Sequence, residues 1–138
     1  MVAVGLASGF LEPLESTSIH LIQRAIFKLL SMFPKDRISQ RMVDRFNNEM
    51  EEECTEVKDF LIAHYVVTER EDTEFWRYVK NMDIPDSLTA RMEIFKERGE
   101  AFSGVQGLFR DQNWFAVLYG QGLAPEAYHP VADIASDD

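Results

Sequence analysis

Apolar residues recur at spacings of three and four along most of the chain, a pattern that predicts amphipathic helices. One such segment covers residues 16–33 and a longer one covers about 36–67. Pro34 separates the two, because a proline disfavours helical conformation in the residue before it. Shorter helices are predicted over three further segments: about 73–82, about 86–98 and about 112–119. The predicted fold is therefore mainly α.

One short segment departs from the helical pattern. Residues 2–7 read Val-Ala-Val-Gly-Leu-Ala, which is typical of a short strand buried on both faces. No other segment is a convincing strand, and a strand needs a partner with which to pair. We therefore expect a single fragment, residues 1–138, in which a helical segment with one short N-terminal strand belongs to a larger α/β fold.

The junction between this strand and the first helix carries the candidate chemistry. The start of a helix has unpaired N–H groups and a partial positive charge, which suit an anion or the electron-rich edge of a cofactor. Gly9 permits close approach of the backbone, and Pro13 stiffens the turn. The N–H groups near Thr17 and Ser18 are expected to face such a ligand.

Glu15 stands directly before this positive helix end. An exposed carboxylate there would cap the helix, whereas a buried one near a reacting group could accept a proton or orient a cation. The spacing alone favours the capping interpretation over the chemical one.

Charge and composition narrow the classes of partner. The net charge of −10 disfavours nucleic acid, because phosphates would be repelled. No apolar run approaches the roughly 20 residues that a membrane span needs, and the N-terminus lacks the pattern of a signal peptide. These features predict a cytoplasmic protein that binds neither nucleic acid nor membrane.

Other reactive residue types favour structural interpretations. The single cysteine, Cys54, lies on a helical apolar stripe and is predicted to be a buried packing thiol. The histidines have no i, i+4 pair, so no metal site is predicted. Trp76 and Trp114 are expected to pack in a core rather than stack on a ligand. One acidic run on the second helix is interpreted as a solvated face: Glu49, Glu51, Glu52, Glu53 and Glu56.

Three segments carry a resemblance to a known family. GLASGFLEPLESTSIHLIQ, which starts at residue 5, closely resembles a signature of flavin-dependent tryptophan halogenases. FLIAHYVVTEREDTEFW, residues 60–76, is similar to a second block of that family, and NWFAVLYGQGLAP, residues 113–125, is more loosely similar to a third. The resemblance extends over most of the chain.

The resemblance implies an activity and its cofactors. In this family FAD, reduced by a separate flavin reductase, reacts with oxygen to give a flavin hydroperoxide. Chloride or bromide then yields hypohalous acid, which halogenates an aromatic, tryptophan-like or indole-like substrate. The related flavin monooxygenases are a less suitable match, because they lack the L-E-P-L-E-S-T run.

The resemblance also implies roles for particular residues. The family's catalytic glutamate falls on Glu15, the halide-binding amides fall on Thr17 and Ser18, and the flavin side includes Gly9, Pro13 and Ser16. Residues 1–34 would then complete the flavin and halide site as a strand, turn and helix, and residues 35–138 would form a helical substrate-side region.

The sequence also departs from the family pattern. It contains neither a G-x-G-x-x-G flavin motif nor the family's lysine, so the chain is expected to be a C-terminal segment that is inactive on its own. The position of an acid found in tryptophan-specific members falls near Gly104, which weakens the case for free tryptophan, and a neutral indole, a phenol or a larger aromatic fits as well or better. Phe109 and Asn113 are candidate substrate-lining residues, and simple packing is an equal alternative.

A second class of function stays open at this point. The chain could be a free-standing acidic helical module that binds another protein, in which the motif is only a structural turn. The exposed first strand and the unmatched helix faces also predict self-association, for example as a homodimer.

Overall fold

The computed structural model describes residues 1–103 and 107–128, and these residues are predominantly helical. Two short 3₁₀ turns, Gly5–Ala7 and Leu14–Ser16, precede the α-helices. Five α-helices follow in chain order: α1 (Thr17–Ser31), α2 (Gln40–Val66), α3 (Glu74–Lys80), α4 (Asp86–Arg98) and α5 (Asp111–Gly120). The predicted mainly α class is confirmed.

The predicted strand over residues 2–7 is wrong. Val4 is extended, with φ −136° and ψ 151°, but Gly5–Ala7 forms a 3₁₀ turn that the Ser8 N–H closes by donating to the Gly5 carbonyl at 2.9 Å. The described residues contain no strand with which this segment could pair. Without such a partner, local hydrogen bonds decide the conformation of the segment.

The ends of the helices follow local chemistry. α3 begins close to the predicted residue, and the Thr73 hydroxyl caps it by accepting the Trp76 N–H at 3.4 Å. The predicted end of α4 is confirmed too, since Gly99 takes a left-handed conformation with φ +66° and donates its N–H to Phe95 at 2.8 Å. α2 starts later than predicted, at Gln40, where the preceding Ser39 hydroxyl accepts the Met42 N–H at 3.3 Å.

The chain forms two compact units, residues 1–58 (unit 1) and residues 59–138 (unit 2). The boundary falls inside α2. The functional division expected after residue 34 concerns ligand roles and stays a prediction.

Unit 2 has an aromatic core. Phe60 stacks on Phe109 with ring centroids 3.6 Å apart, and its edge meets Trp114 at 4.9 Å. Leu88, Phe95, Trp114 and Leu118 are fully buried. The prediction that Trp114 packs in a core is confirmed. Trp76 is half-buried in unit 2, with the Arg70 guanidinium 4.3 Å above its ring.

Unit 1 buries little apolar surface. Its buried apolar side chains, among the described residues, are Ala25 and Val57. Most of the apolar stripe that predicts α1 lies at the surface: Ile19, Ile26, Leu30 and Phe33. The periodicity therefore identifies the helix correctly, although its apolar face is uncovered in this chain. None of the helices in the described residues has the length and apolar character of a membrane span.

Candidate active site

The turn before α1 has an uncommon backbone. Glu15 (φ 59°, ψ 13°) and Ser16 (φ 53°, ψ 27°) both adopt the left-handed conformation, one directly after the other. That conformation costs a non-glycine residue roughly 1–2 kcal/mol. The Ser16 N–H donates to the Pro13 carbonyl at 3.2 Å and closes the turn. Backbone strain of this kind is concentrated at functional sites.

The buried Thr17 side chain helps to hold the turn in place. Its side chain is fully buried, and its hydroxyl lies 3.4 Å from the Glu12 carbonyl and 3.5 Å from the Leu14 carbonyl, to which it donates. These are long hydrogen bonds, so burial of Thr17 contributes more to holding the turn than hydrogen bonding does.

The start of α1 attracts hydrogen-bond acceptors. A helix gives its first N–H groups no partner within the helix itself, and Thr17 and Ser18 are the first two residues of α1. Ser16 is the N-cap residue and makes no side-chain hydrogen bond to the helix start. This end of α1 can therefore accommodate a small anion.

The Glu15 carboxylate lies on the surface of the described chain. It is at the turn, directly before the α1 amides, and it does not line the neighbouring cavity. The structure thus brings Glu15 next to Ser16, Thr17 and Ser18 along the backbone and leaves the carboxylate open to a molecule outside this chain.

A cavity of about 400 Å³ lies within unit 1. Two predicted site residues, Gly9 and Ser18, line it, and the Ser18 hydroxyl is buried without a hydrogen-bond partner in the described part of the chain. Most of its wall is apolar and comes from residues 3–11, α1 and α2, including Phe10, Leu21, Ile22, Phe46 and Met50.

The backbone around Gly5 and Gly9 is bare. Gly5 has φ +75° and Gly9 has φ +151°, and neither position has another heavy atom within 4 Å of where a Cβ would stand. Such a surface leaves room for another molecule to approach the backbone closely. These residues contain no G-x-G-x-x-G phosphate-binding turn.

The two predicted substrate-lining residues lie in unit 2. Phe109 is buried and stacked on Phe60, and the exposed Asn113 accepts the Arg110 N–H at 2.9 Å through its Oδ1. In this structure both side chains have structural contacts. Gly104, where the family acid would fall, lies outside the described residues.

A buried ion cluster in unit 1 is the main feature that the sequence interpretation missed. Glu53 is only 6% exposed, and its carboxylate lies 2.6 Å from Arg24 Nε, 3.3 Å from Lys28 Nζ and 3.6 Å from His20 Nε2. Lys28 Nζ also lies 3.3 Å from the Glu49 carboxylate. We call these five residues the Glu53 cluster.

The interpretation of the acidic run as a solvated face is therefore wrong for Glu53. The sequence does contain a signal for the cluster, because His20, Arg24 and Lys28 follow at intervals of four on α1. Glu49 and Glu53 have the same interval on α2. Two rows of opposite charge at helical spacing can face each other. The hydrogen bond from Arg45 and the neighbouring Lys28 lower the pKa of Glu49.

Cys54 is half-buried rather than fully buried, and it lines the cavity of unit 1. Burial and the adjacent Glu53 charge raise the pKa of its thiol, so it is a poor nucleophile at neutral pH. No group of His, Cys, Asp and Glu suited to a metal ion occurs within residues 1–103 and 107–128. His129 lies outside these ranges.

The comparisons with known proteins agree with the motifs. The sequence profile of the tryptophan halogenase family matches residues 1–137. The chain therefore belongs to this family of flavin-dependent halogenases. The match covers the turn before α1, the Glu53 cluster and the aromatic core alike.

Solved structures resemble the chain closely. Xcc4156, a flavin-dependent halogenase from Xanthomonas campestris, is 49% identical with a TM-score of 0.92, over 99% of this chain and 27% of that one. BrvH, a flavin-dependent halogenase from Brevundimonas sp. BAL3, is 41% identical with a TM-score of 0.89, over 96% of this chain and 27% of that one.

A curated relative is the tryptophan 6-halogenase ThaL of Streptomyces albogriseolus, 36% identical over 90% of this chain and 26% of that protein. The chain thus spans about a quarter of the length of the relatives it matches.

Proposed function

We propose that this chain is the C-terminal part of a flavin-dependent halogenase that halogenates an indole-like aromatic substrate. The observation that carries the proposal is the strained Glu15–Ser16 turn, which places a carboxylate directly before the amides of Thr17 and Ser18 at one helix end. Family membership over residues 1–137 favours the enzyme over a free-standing interaction module.

The halide is held at the start of α1. The Thr17 and Ser18 N–H groups donate to it, and the partial positive charge of the helix end adds to the attraction. Gly9, Pro13 and Ser16 form the neighbouring flavin side. When bound, reduced FAD with oxygen supplies the oxidant that converts chloride or bromide into hypohalous acid. The electrons come from a separate flavin reductase.

Glu15 acts on the aromatic ring. The ring donates an electron pair to the halogen, the halogen–oxygen bond of hypohalous acid breaks, and a carbon–halogen bond forms. The Glu15 carboxylate accepts the proton that the substituted carbon then loses and passes it to the hydroxide released from hypohalous acid, so the net products are the aryl halide and water. The exposure of Glu15 in this chain leaves its carboxylate accessible for that role.

The substrate is proposed to be a neutral indole rather than free tryptophan. A site for free tryptophan needs polar partners for the ammonium and carboxylate groups, and the family acid is replaced near Gly104. Phe109 and Asn113 are proposed as lining residues. This chain alone is proposed to be inactive, because it lacks a phosphate-binding flavin motif.

The test begins with the DNA upstream of the Met1 codon, which should encode an in-frame G-x-G-x-x-G motif. The complete protein is then assayed with FAD, a reductase, NADH, bromide, and either indole or tryptophan. Glu15→Gln should lower kcat by about 100-fold or more, because the ring proton loses its acceptor. Glu97→Gln, an exposed acid on α4, is the control and should leave kcat unchanged.

Full activity of Glu15→Gln would contradict the role of the carboxylate. Bromination that proceeds without flavin, or no bromination of either substrate by the wild type, would contradict the proposed reaction. A preference for tryptophan over indole would contradict the substrate alone.

A further inference from the structure

We infer that Glu53 is a positioning residue, which holds α1 in the register that places the Thr17 and Ser18 amides for the halide. The inference rests on the proposed function. It assigns no contact with halide, flavin or substrate to Glu53 itself. The residue acts through the helix on which the halide amides lie.

The first step is the geometry of the cluster. One carboxylate receives side chains from three successive turns of α1: His20 at 3.6 Å, Arg24 at 2.6 Å and Lys28 at 3.3 Å. These turns span about 12 Å along the helix axis. Lys28 also donates to the Glu49 backbone carbonyl at 3.2 Å. A shift of α1 by less than one turn, which is about 5.4 Å, or a rotation that moves this row of side chains away from Glu53, would break these contacts together.

The second step is the absence of strong apolar packing around α1. Four of its large apolar side chains are exposed (Ile19, Ile26, Phe27 and Leu30), three are half-buried (Leu21, Ile22 and Leu29), and Ala25 is its one buried apolar residue among those described. Apolar contacts tolerate small sliding movements, whereas buried charges require their partners and fix register. Within unit 1, the polar cluster therefore determines the position of α1 more than apolar packing does.

The third step connects the cluster to the halide site. α1 begins at Thr17, and His20 lies one turn after it, so the cluster starts one helical turn from the candidate amides. A helix transmits a rotation or translation along its length because its backbone bonds are continuous. The cavity beside Ser18 includes Cys54, the neighbour of Glu53, so its shape depends on the same pair of helices.

The experiment measures steady-state bromination of indole by the complete enzyme carrying Glu53→Gln. This change keeps the size of the side chain and leaves Arg24 and Lys28 without the Glu53 counter-charge. We expect the bromide KM to rise about tenfold or more, because small misplacements of binding groups have large effects, and the indole KM to stay within about twofold.

The matched control is Glu52→Gln, which removes the same charge from the adjacent, exposed position of α2. It should leave both KM values and kcat unchanged. If Glu53→Gln does not fold, Glu53→Asp replaces it, because that variant keeps the charge and withdraws the carboxylate by one methylene. It should raise the bromide KM in the same selective way, by a smaller factor.

Three outcomes would overturn the inference. Glu53→Gln could match Glu52→Gln, in which case Glu53 has no role in halide binding. It could lower kcat with both KM values unchanged, which is the signature of a smaller folded fraction. If the wild type itself brominates nothing, the proposed function fails and the inference fails with it, a result that is distinguishable from the first two.

Discussion

Unit 1 and unit 2 use different interactions for the same task of holding helices together. Unit 2 surrounds Phe60 with Phe109 and Trp114 and buries Leu88, Phe95 and Leu118. Unit 1 holds α1 beside α2 with one buried carboxylate and three basic side chains, while many of its large apolar residues are exposed.

The two kinds of interaction differ in how strictly they fix the position of a helix. An aromatic core contributes stability because burial is roughly proportional to apolar area and depends little on direction. An ion cluster contributes less net stability, since desolvation opposes the attraction, but it requires particular partners. The candidate halide amides lie in the unit that relies on the second kind of interaction.

The largest effect is expected in the core of unit 2. Trp114→Ala should lower the free energy of unfolding by about 4 kcal/mol, because a fully buried indole is replaced by a cavity. The measurement is urea unfolding followed by far-UV circular dichroism. Phe115→Ala, at a neighbouring position that is 42% exposed, is the control and should cost about 1 kcal/mol. Equal losses of unfolding free energy in the two variants would show that burial of Trp114 contributes no more to stability than the partly exposed Phe115 does.

A smaller effect of opposite sign is expected at the turn of unit 1. Ser16→Gly should raise the free energy of unfolding by about 0.5–1 kcal/mol, because glycine adopts the left-handed conformation without strain. Ser31→Gly, at the right-handed end of α1, is the matched control and should lower stability by about 0.5–1 kcal/mol. If both variants lose stability to the same extent, the turn is not strained.

The smallest effect concerns the pH dependence of Cys54. Burial and Glu53 raise the pKa of this thiol, so alkylation by iodoacetamide should reach half its maximal rate at a higher pH than for an unfolded chain. At a given pH below the pKa of the thiol, the folded chain contains less thiolate than the unfolded chain does. Glu53→Gln removes one cause, so its midpoint should move down in pH, whereas Glu52→Gln should leave it in place.

Mass spectrometry of the modified chain gives the rate at each pH. A midpoint that is the same in Glu53→Gln and the wild type would show that the Glu53 charge does not act on Cys54. The raised pKa would then be due to burial alone.

Much of the fold can be predicted from the sequence, because helical hydrogen bonds join residues that are only four positions apart. The stripe from Ile19 to Phe33 predicts α1 to within two residues at each end, and the positions of Thr73 and Gly99 define the ends of two further helices. The strand prediction over residues 2–7 is wrong because a strand needs hydrogen bonds to another strand, and the described residues contain no such strand.

The candidate site is also only partly predictable from the sequence. The motif locates Glu15, Thr17 and Ser18, but no sequence rule predicts that Glu15 and Ser16 are both left-handed, because neither is a glycine. The burial of Glu53 was missed since five acids close together on one helix indicate a solvated surface. Only the contacts with α1 distinguish it from its neighbours.

The distribution of indole rings has a practical consequence for spectroscopy. Both tryptophans, Trp76 and Trp114, lie beyond residue 58. Intrinsic emission excited at the red edge therefore originates entirely from the half of the chain without the candidate halide amides. A bromide titration monitored by tryptophan fluorescence would record collisional quenching of Trp76 and Trp114, not bromide binding at the start of α1. A reporter fluorophore near residue 18 would detect that binding.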